Sequence, residues 1–223
     1  MSRYSSVFKD ESKLDINYVP SRLPHREVQL NLLNKFFRFA IETPGKMTQR
    51  VLIVGEIGTG KTVLSQHFGL SIVREARDKG INLNYVHVNC RECGGSFFMI
   101  IHRAILKFYP NFPRRGYSEA ELMQMLMKIL DERNAYLILV MDELEALIRK
   151  DGSDPLYSLT RIQEGRLKAA QRLSLICVLR ETEYLDRLDA STRSTLQRNI
   201  IHLEEYSPPQ LQDILNDRVA LAF

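Results

Sequence analysis

Short apolar or alternating runs recur along this chain, separated by longer stretches whose apolar residues return at helical spacing. The runs are Val51-Leu52-Ile53-Val54, Leu83 to Val88, Tyr136-Leu137-Ile138-Leu139-Val140-Met141, Leu173 to Leu179 and Asn199 to Leu203. Their length and β-branched content predict strands. The first helical stretch is Arg26 to Ala40, with Leu30, Leu33, Phe36, Phe37 and Ala40 on one face. Others span Val63 to Asp78, Ser96 to Phe108, Ser118 to about Arg133, Leu144 to Arg149, Asp189 to Leu196, and a stretch from the 151–155 loop through Ala170. Breakers separate them: a turn at Glu42 to Lys46, a glycine stop at Lys79-Gly80, then Pro110, Pro113 and Gly116. Ser207-Pro208-Pro209-Gln210 opens a last helix, with Ser207 as N-cap. Strands alternating with helices predict an α/β fold: a five-stranded, mostly parallel sheet with helices on both faces. Residues 1–17 are polar and are expected to form a loose arm.

Candidate chemistry lies where strands run into helices. Gly55-Glu56-Ile57-Gly58-Thr59-Gly60-Lys61-Thr62 fits G-x-x-x-x-G-K-[ST] between the first strand and its helix. Glycines let successive backbone N–H groups face phosphate oxygens, and the helix N-terminus adds its dipole. Lys61 is expected to reach the β- and γ-phosphates, and Thr62 to ligate Mg²⁺. A second acidic element should follow another buried strand. Asp142-Glu143 stand directly after the run ending at Met141. Asp142 would hold Mg²⁺ through water, and Glu143 would act as general base toward the attacking water. Adjacent acids can also cap a following helix; beside a phosphate loop, the catalytic reading prevails. The pair favours ATP hydrolysis over nucleotide kinase chemistry.

Composition narrows the picture only modestly. With 223 residues and 44% apolar content, the chain can bury one substantial core. A net charge of +4 is compatible with nucleic acid without demonstrating it. No segment approaches the roughly 18 consecutive apolar residues of a membrane helix, and Met1 to Asp10 has no signal-peptide core. A cytoplasmic location with no membrane partner is the expectation. His87, Cys90 and Cys93 have metal-like spacing, but no second cysteine pair accompanies them. They read as strand and core residues. In the last helix, Leu211, Ile214, Leu215, Val219 and Leu221 form an apolar face, and no partner element follows Phe223. The chain is therefore expected to be a fragment of a longer protein.

Further residues carry a family likeness. They include Tyr18-Val19-Pro20-Ser21-Arg22-Leu23-Pro24-His25-Arg26-Glu27, Val88-Asn89-Cys90-Arg91 and Leu156-Tyr157-Ser158-Leu159-Thr160-Arg161. Tyr206, Gln210-Leu211-Gln212-Asp213-Ile214-Leu215-Asn216-Asp217-Arg218 and Ala222-Phe223 complete the set. Over nearly its whole length the chain resembles the ATPase core of archaeal origin-recognition/cell-division-control replication initiators, a branch of the AAA+ P-loop ATPases. The resemblance implies an N-terminal arm at 1–17, an ATPase core at 18–205 and the start of a helical lid at 206–223. The rest of the lid and a winged-helix DNA-binding domain would lie downstream.

The resemblance also implies site roles. Val19, Pro20, Arg22, Leu23, His25 and Arg26, with Tyr206, Ile214 and Arg218, would surround the base of ATP or ADP. Gly55, Glu56, Ile57, Gly58, Thr59, Gly60, Lys61, Thr62 and Val63 would take its phosphates. In these initiators an insertion after the second strand touches double-stranded origin DNA. Its equivalent is roughly Phe108 to Ser118, where Arg114, Arg115 and Tyr117 are the candidate contacts. A solvated loop tip is an equally good reading of those residues. Other initiator subunits and the replicative helicase are the further partners the family implies.

Departures from the family temper the expected rate. The usual Asn after the fourth strand is absent, and Arg180-Glu181 stand there. Ser194-Thr195 occupy the place of a Ser-Arg finger pair, and neither Arg193 nor Arg198 matches it. One such arginine is worth roughly a thousandfold or more in rate. Firm nucleotide binding with slow, regulatory hydrolysis is expected. Two other readings remain open on sequence: a remodelling AAA+ motor, and a signalling P-loop ATPase with a different C-terminal readout domain.

Overall fold

The computed structural model describes residues 7–15, 17–163 and 169–223. In chain order the elements are α1 (Glu27–Glu42), β1 (Arg50–Val54), α2 (Lys61–Asp78), β2 (Leu83–Asn89), α3 (Phe97–Leu106) and α4 (Glu119–Glu132). Then come β3 (Tyr136–Asp142), α5 (Glu145–Asp151), α6 (Asp154–Arg161), β4 (Leu173–Leu179), α7 (Ala190–Leu196), β5 (Ile200–His202) and α8 (Pro208–Ala222). The five strands form one sheet in the order β2-β3-β4-β1-β5, and every neighbouring pair is parallel.

Alternation within each strand splits the core in two. Val51, Ile53, Ile138, Val140, Ile176, Val178 and Ile201 pack with Leu33, Phe37, Leu64 and Phe68 of α1 and α2. Leu52, Val54, Leu137, Leu139, Met141, Leu175, Cys177 and Leu179 pack on the other face against α3 to α6. Burial on both faces is why β1, β3 and β4 read as unbroken apolar runs.

Caps explain several helix starts. The Ser118 side chain accepts from Glu121 N while the Glu121 carboxylate accepts from Ser118 N, closing a capping box on α4. Gln210 Oε1 accepts from Ser207 N in the same way at α8. Gly69 marks a close approach. A Cβ there would lie 2.1 Å from the Tyr85 ring, so α2 can lie this near β2 only without a side chain. Gly69→Ala should therefore destabilise the fold by about 1–3 kcal/mol despite alanine's helix preference. Urea unfolding checks this, and an unchanged midpoint would contradict the packing argument.

Two expectations change. The helix expected to run through Ala170 stops at Arg161, and residues 164–168 lie outside those described. The buried Gln163 side chain instead accepts from Leu173 N at 3.0 Å and donates to Leu173 O at 2.9 Å, joining the end of α6 to the start of β4. The described part of the N-terminal arm is not loose. Glu11–Leu14 form a 3-10 turn, Lys9 N and Asp10 N donate to Ala222 O, and the Phe8 ring lies 4.7 Å from that of Phe223. This docking covers only one end of α8. Leu211, Leu215, Val219 and Leu221 stay exposed, and Ala222 is the helix's one buried residue.

Candidate nucleotide site

The sheet order places the C-terminal ends of β1, β4 and β3 side by side, the usual location of ligand sites in open parallel sheets. The phosphate loop leaves β1 after Val54 and enters α2 at Lys61. Gly58 and Gly60 have φ of 86° and 87°, in the left-handed region that glycine enters without strain. The space beside Gly58 is open, with nothing within 4 Å of a built Cβ.

Lys61 folds back over this loop. Its Nζ donates to Gly55 O at 2.6 Å and Glu56 O at 2.7 Å. Burial lowers the Lys61 pKa, against the attraction of Asp142 and Glu145. Thr62 Oγ1 donates to Asp142 Oδ2 at 2.6 Å, joining the start of α2 to the end of β3. His87 Nε2, on neighbouring β2, lies 3.3 Å from the same oxygen. Burial alone would raise the Asp142 pKa, but its contacts with His87 and Thr62 outweigh burial and hold the carboxyl below its ordinary value.

Glu143 follows with φ of 49°, unusual for a residue with a side chain. Its N–H donates to Asp142 Oδ1 at 2.9 Å, and the next N–H, of Leu144, donates to Val178 O of β4. These bonds hold a strained turn that brings Glu143 to the cavity rim. The cavity, of about 470 Å³, is lined by Lys61, Thr62, Asp142, Glu143, Glu145 and Arg180, among others. Glu145 is a group that sequence reasoning missed. Its carboxylate is buried, which raises its pKa, and its Oε1 lies 3.2 Å from Arg180 Nε. The signal was available: Leu144-Glu145-Ala146-Leu147-Ile148 puts one acid in an otherwise apolar helix start.

An apolar cavity of about 480 Å³ adjoins the first and shares Gly58, Gly60, Val63 and Arg218 with it. Pro20, Arg22, Leu23, Tyr206 and Ile214 line it, as a flat base would require. Of the remaining candidates for base contact, His25, Arg26 and Arg218 have partners within the chain. Val19 is not among its lining residues. His25, in a left-handed conformation, faces Asp213 of α8 at 3.0 Å. Arg26 is buried: it donates to Thr59 O at 2.8 Å and Glu204 O at 2.7 Å, and stacks 3.8 Å from the Tyr206 ring centroid. It ties the phosphate loop to the segment between β5 and α8. Arg218 donates to Lys13 O and Asp15 O while standing at the boundary of the two cavities.

Outside the cavities, Arg114 and Arg115 are exposed at the tip of the α3–α4 loop. Tyr117 is at the loop base, partly buried and stacked 5.1 Å from Phe112. His102 Nε2 lies 3.3 Å from Phe112 O and 3.2 Å from Pro113 O. Cys90, Cys93 and Cys177 are buried free thiols, with burial raising all three pKa values, Cys177 to about 12. Among the described residues, no cluster of three or more His, Cys, Asp or Glu side chains could hold a metal ion. Nor is any described helix long and apolar enough to cross a membrane.

A sequence model described as an AAA domain matches residues 46–188, which contain the phosphate loop, Asp142, Glu143 and Arg180. The chain belongs to the AAA family. Within the AAA proteins, the resemblance to archaeal initiators holds. The chain is 33% identical over 214 residues to the ORC1-type DNA replication protein 2 of Sulfolobus acidocaldarius, covering 96% of this chain and 51% of the relative. Among solved structures, Cdc6p of Pyrobaculum aerophilum matches with a TM-score of 0.82 and 32% identity, over 97% of this chain and 55% of that one. The ORC1 protein of Aeropyrum pernix, solved in complex with DNA, matches with a TM-score of 0.83 and 27% identity, again over 97% and 55%. The chain thus spans about half the length of the curated relatives it matches. Its sheet and helices are the AAA+ ATPase fold.

Proposed function

We propose that this chain is the nucleotide-binding part of a replication initiator that binds ATP or ADP with Mg²⁺, hydrolyses ATP slowly, and recognises double-stranded origin DNA under nucleotide control. The observation that carries the reading is the convergence of Lys61, Thr62, Asp142 and Glu143 on one cavity beside an apolar cleft. Thr62 Oγ1 and Asp142 Oδ2 are hard oxygen donors 2.6 Å apart, which suits an ion that takes few protein ligands. Mg²⁺ held there would neutralise charge on the phosphate oxygens. Lys61 exchanges its two loop carbonyls for phosphate oxygens. Glu143 accepts the proton of a water that attacks the terminal phosphorus, and ADP leaves as the P–O bond breaks. Arg180 in place of an amide, and Ser194-Thr195 where an arginine finger would be, support a slow rate.

For DNA, the support is the pair of exposed arginines at the α3–α4 loop tip and the likeness to a protein solved with DNA. Two phosphate contacts would contribute about two units of salt slope. Arg114→Ala with Arg115→Ala, made in the full-length protein, should weaken duplex binding and flatten log K against log salt by up to about that amount. Anisotropy across a salt series, with ATP or ADP present, measures it. Identical affinity and slope would return the loop to a solvated tip. Other initiator subunits and the replicative helicase are the further partners proposed.

A further inference from the structure

The α3–α4 loop carries Arg114 and Arg115 exposed at its tip, and one buried polar side chain holds the backbone just before them. His102 is 1% exposed on α3, whose other buried residues, Phe97, Ile100, Ile101, Ala104 and Ile105, are all apolar. Its ring packs 6.1 Å from that of Phe98 and 5.8 Å from that of Phe112, and Phe112 in turn stacks on Tyr117. His102 Nε2 lies 3.3 Å from Phe112 O and 3.2 Å from Pro113 O, so one N–H is shared between the last two carbonyls before Arg114. That bond requires the proton on Nε2, which leaves Nδ1 a buried acceptor with no partner. Burying an unpaired nitrogen is costly. A leucine would fill the same space without that cost, so packing alone does not call for an imidazole. What the imidazole adds is an N–H aimed at the loop backbone. The far end of the loop is fixed separately: Ser118 caps α4, and Glu119 Oε1 accepts from Phe98 N at 3.2 Å. Between these two anchors, Arg114 to Gly116 are exposed, and among the described residues neither guanidinium has an ion-pair or hydrogen-bond partner.

We propose that His102 is the positioning residue of this loop: its shared N–H and the aromatic cluster around it fix the backbone at Phe112-Pro113, so that Arg114 and Arg115 are presented together to the phosphate backbone of duplex DNA. The inference rests on the DNA-binding reading of the same loop. Two long cationic side chains on a loosely held loop lose backbone and rotamer freedom when they engage phosphates. A loop fixed beforehand has less freedom to lose, and the difference appears as affinity. His102 acts through the two arginines and not through a contact of its own, because it is buried beneath the loop. Its effect therefore depends on their presence.

Anisotropy on duplex DNA with the full-length protein, at saturating ATP, tests this. His102→Leu should weaken DNA binding about three- to tenfold, the range of one hydrogen bond, and change ATP affinity by less than about twofold. Hydrogen exchange at the loop amides of residues 114–118 should quicken. His102→Gln, whose amide N–H reaches about as far as Nε2, should recover most of the loss. His102→Asn, whose amide ends near the position of Nδ1, should not. With Arg114→Ala and Arg115→Ala already in place, His102→Leu should weaken binding by less than about twofold further, because the groups it presents are gone. A merely structural role would lower binding equally in both backgrounds. Thermal melts identify any variant that fails to fold; should His102→Leu be one, the glutamine and asparagine variants decide. Unchanged affinity or unchanged exchange in a folded His102→Leu, equal losses in the glutamine and asparagine variants, or the full loss in the doubly substituted background overturns the positioning role. If the double arginine variant itself binds DNA as the wild type does, the DNA reading of the loop falls, and this inference with it. A weakened arginine variant beside an unaffected His102→Leu removes this inference alone.

Discussion

Lys61→Ala is expected to weaken ATP and ADP alike, by roughly 10- to 150-fold, which corresponds to losing about 1.5–3 kcal/mol of charge-assisted bonding. Both nucleotides suffer because Lys61 belongs to the loop that holds the phosphates common to them. The Lys61 amine already lies within the loop, bonded to Gly55 O and Glu56 O. Its charge is therefore pre-placed and partly desolvated, so a phosphate finds a strong partner there. Alanine also frees those two carbonyls, so a modest fall in melting temperature should accompany the loss. Titration calorimetry in Mg²⁺ and in EDTA is the measurement. Equal affinity of wild type and a folded Lys61→Ala would remove the phosphate-loop assignment, and indifference of the wild type to EDTA would remove the Mg²⁺ assignment.

Glu143→Gln separates binding from chemistry. The amide has nearly the same shape, keeps the left-handed turn at φ 49° and leaves Thr62–Asp142 intact, but it cannot accept a proton as a carboxylate does. ATP affinity should stay within about twofold, while single-turnover hydrolysis falls by about 10²- to 10⁴-fold, the usual contribution of a general base. Because the wild-type rate is itself expected to be slow, the assay must follow one turnover with excess protein. Asp142→Asn should behave differently and weaken the Mg²⁺ dependence of binding. Unchanged single-turnover hydrolysis in Glu143→Gln would falsify the general-base role and leave Glu143 as a turn residue.

Local signals were enough for the phosphate loop, the Asp142-Glu143 pair and the α/β alternation. Strand–glycine loop–helix is written in consecutive residues, and strands buried on both faces announce themselves as apolar runs. The capping boxes at Ser118 and Ser207 were legible for the same reason, since both partners lie within one turn. The end of α6 was not legible, because Gln163 spends its amide on the start of β4, ten positions away. The docked arm was hidden too, since its partner is α8 at the other end of the chain. Equally hidden was that two residues read as contacts for the base also hold elements together: Arg26 joins Thr59 to Glu204, and His25 faces Asp213. The Glu145–Arg180 pair needed the sheet order itself. Only because β4 lies between β3 and β1 do residues 35 positions apart share one cavity, and charge complementarity at that separation leaves no periodic trace along the chain. Periodicity reports which face of an element is buried; which charges meet depends on how the elements are stacked, and that is decided only when the chain has folded.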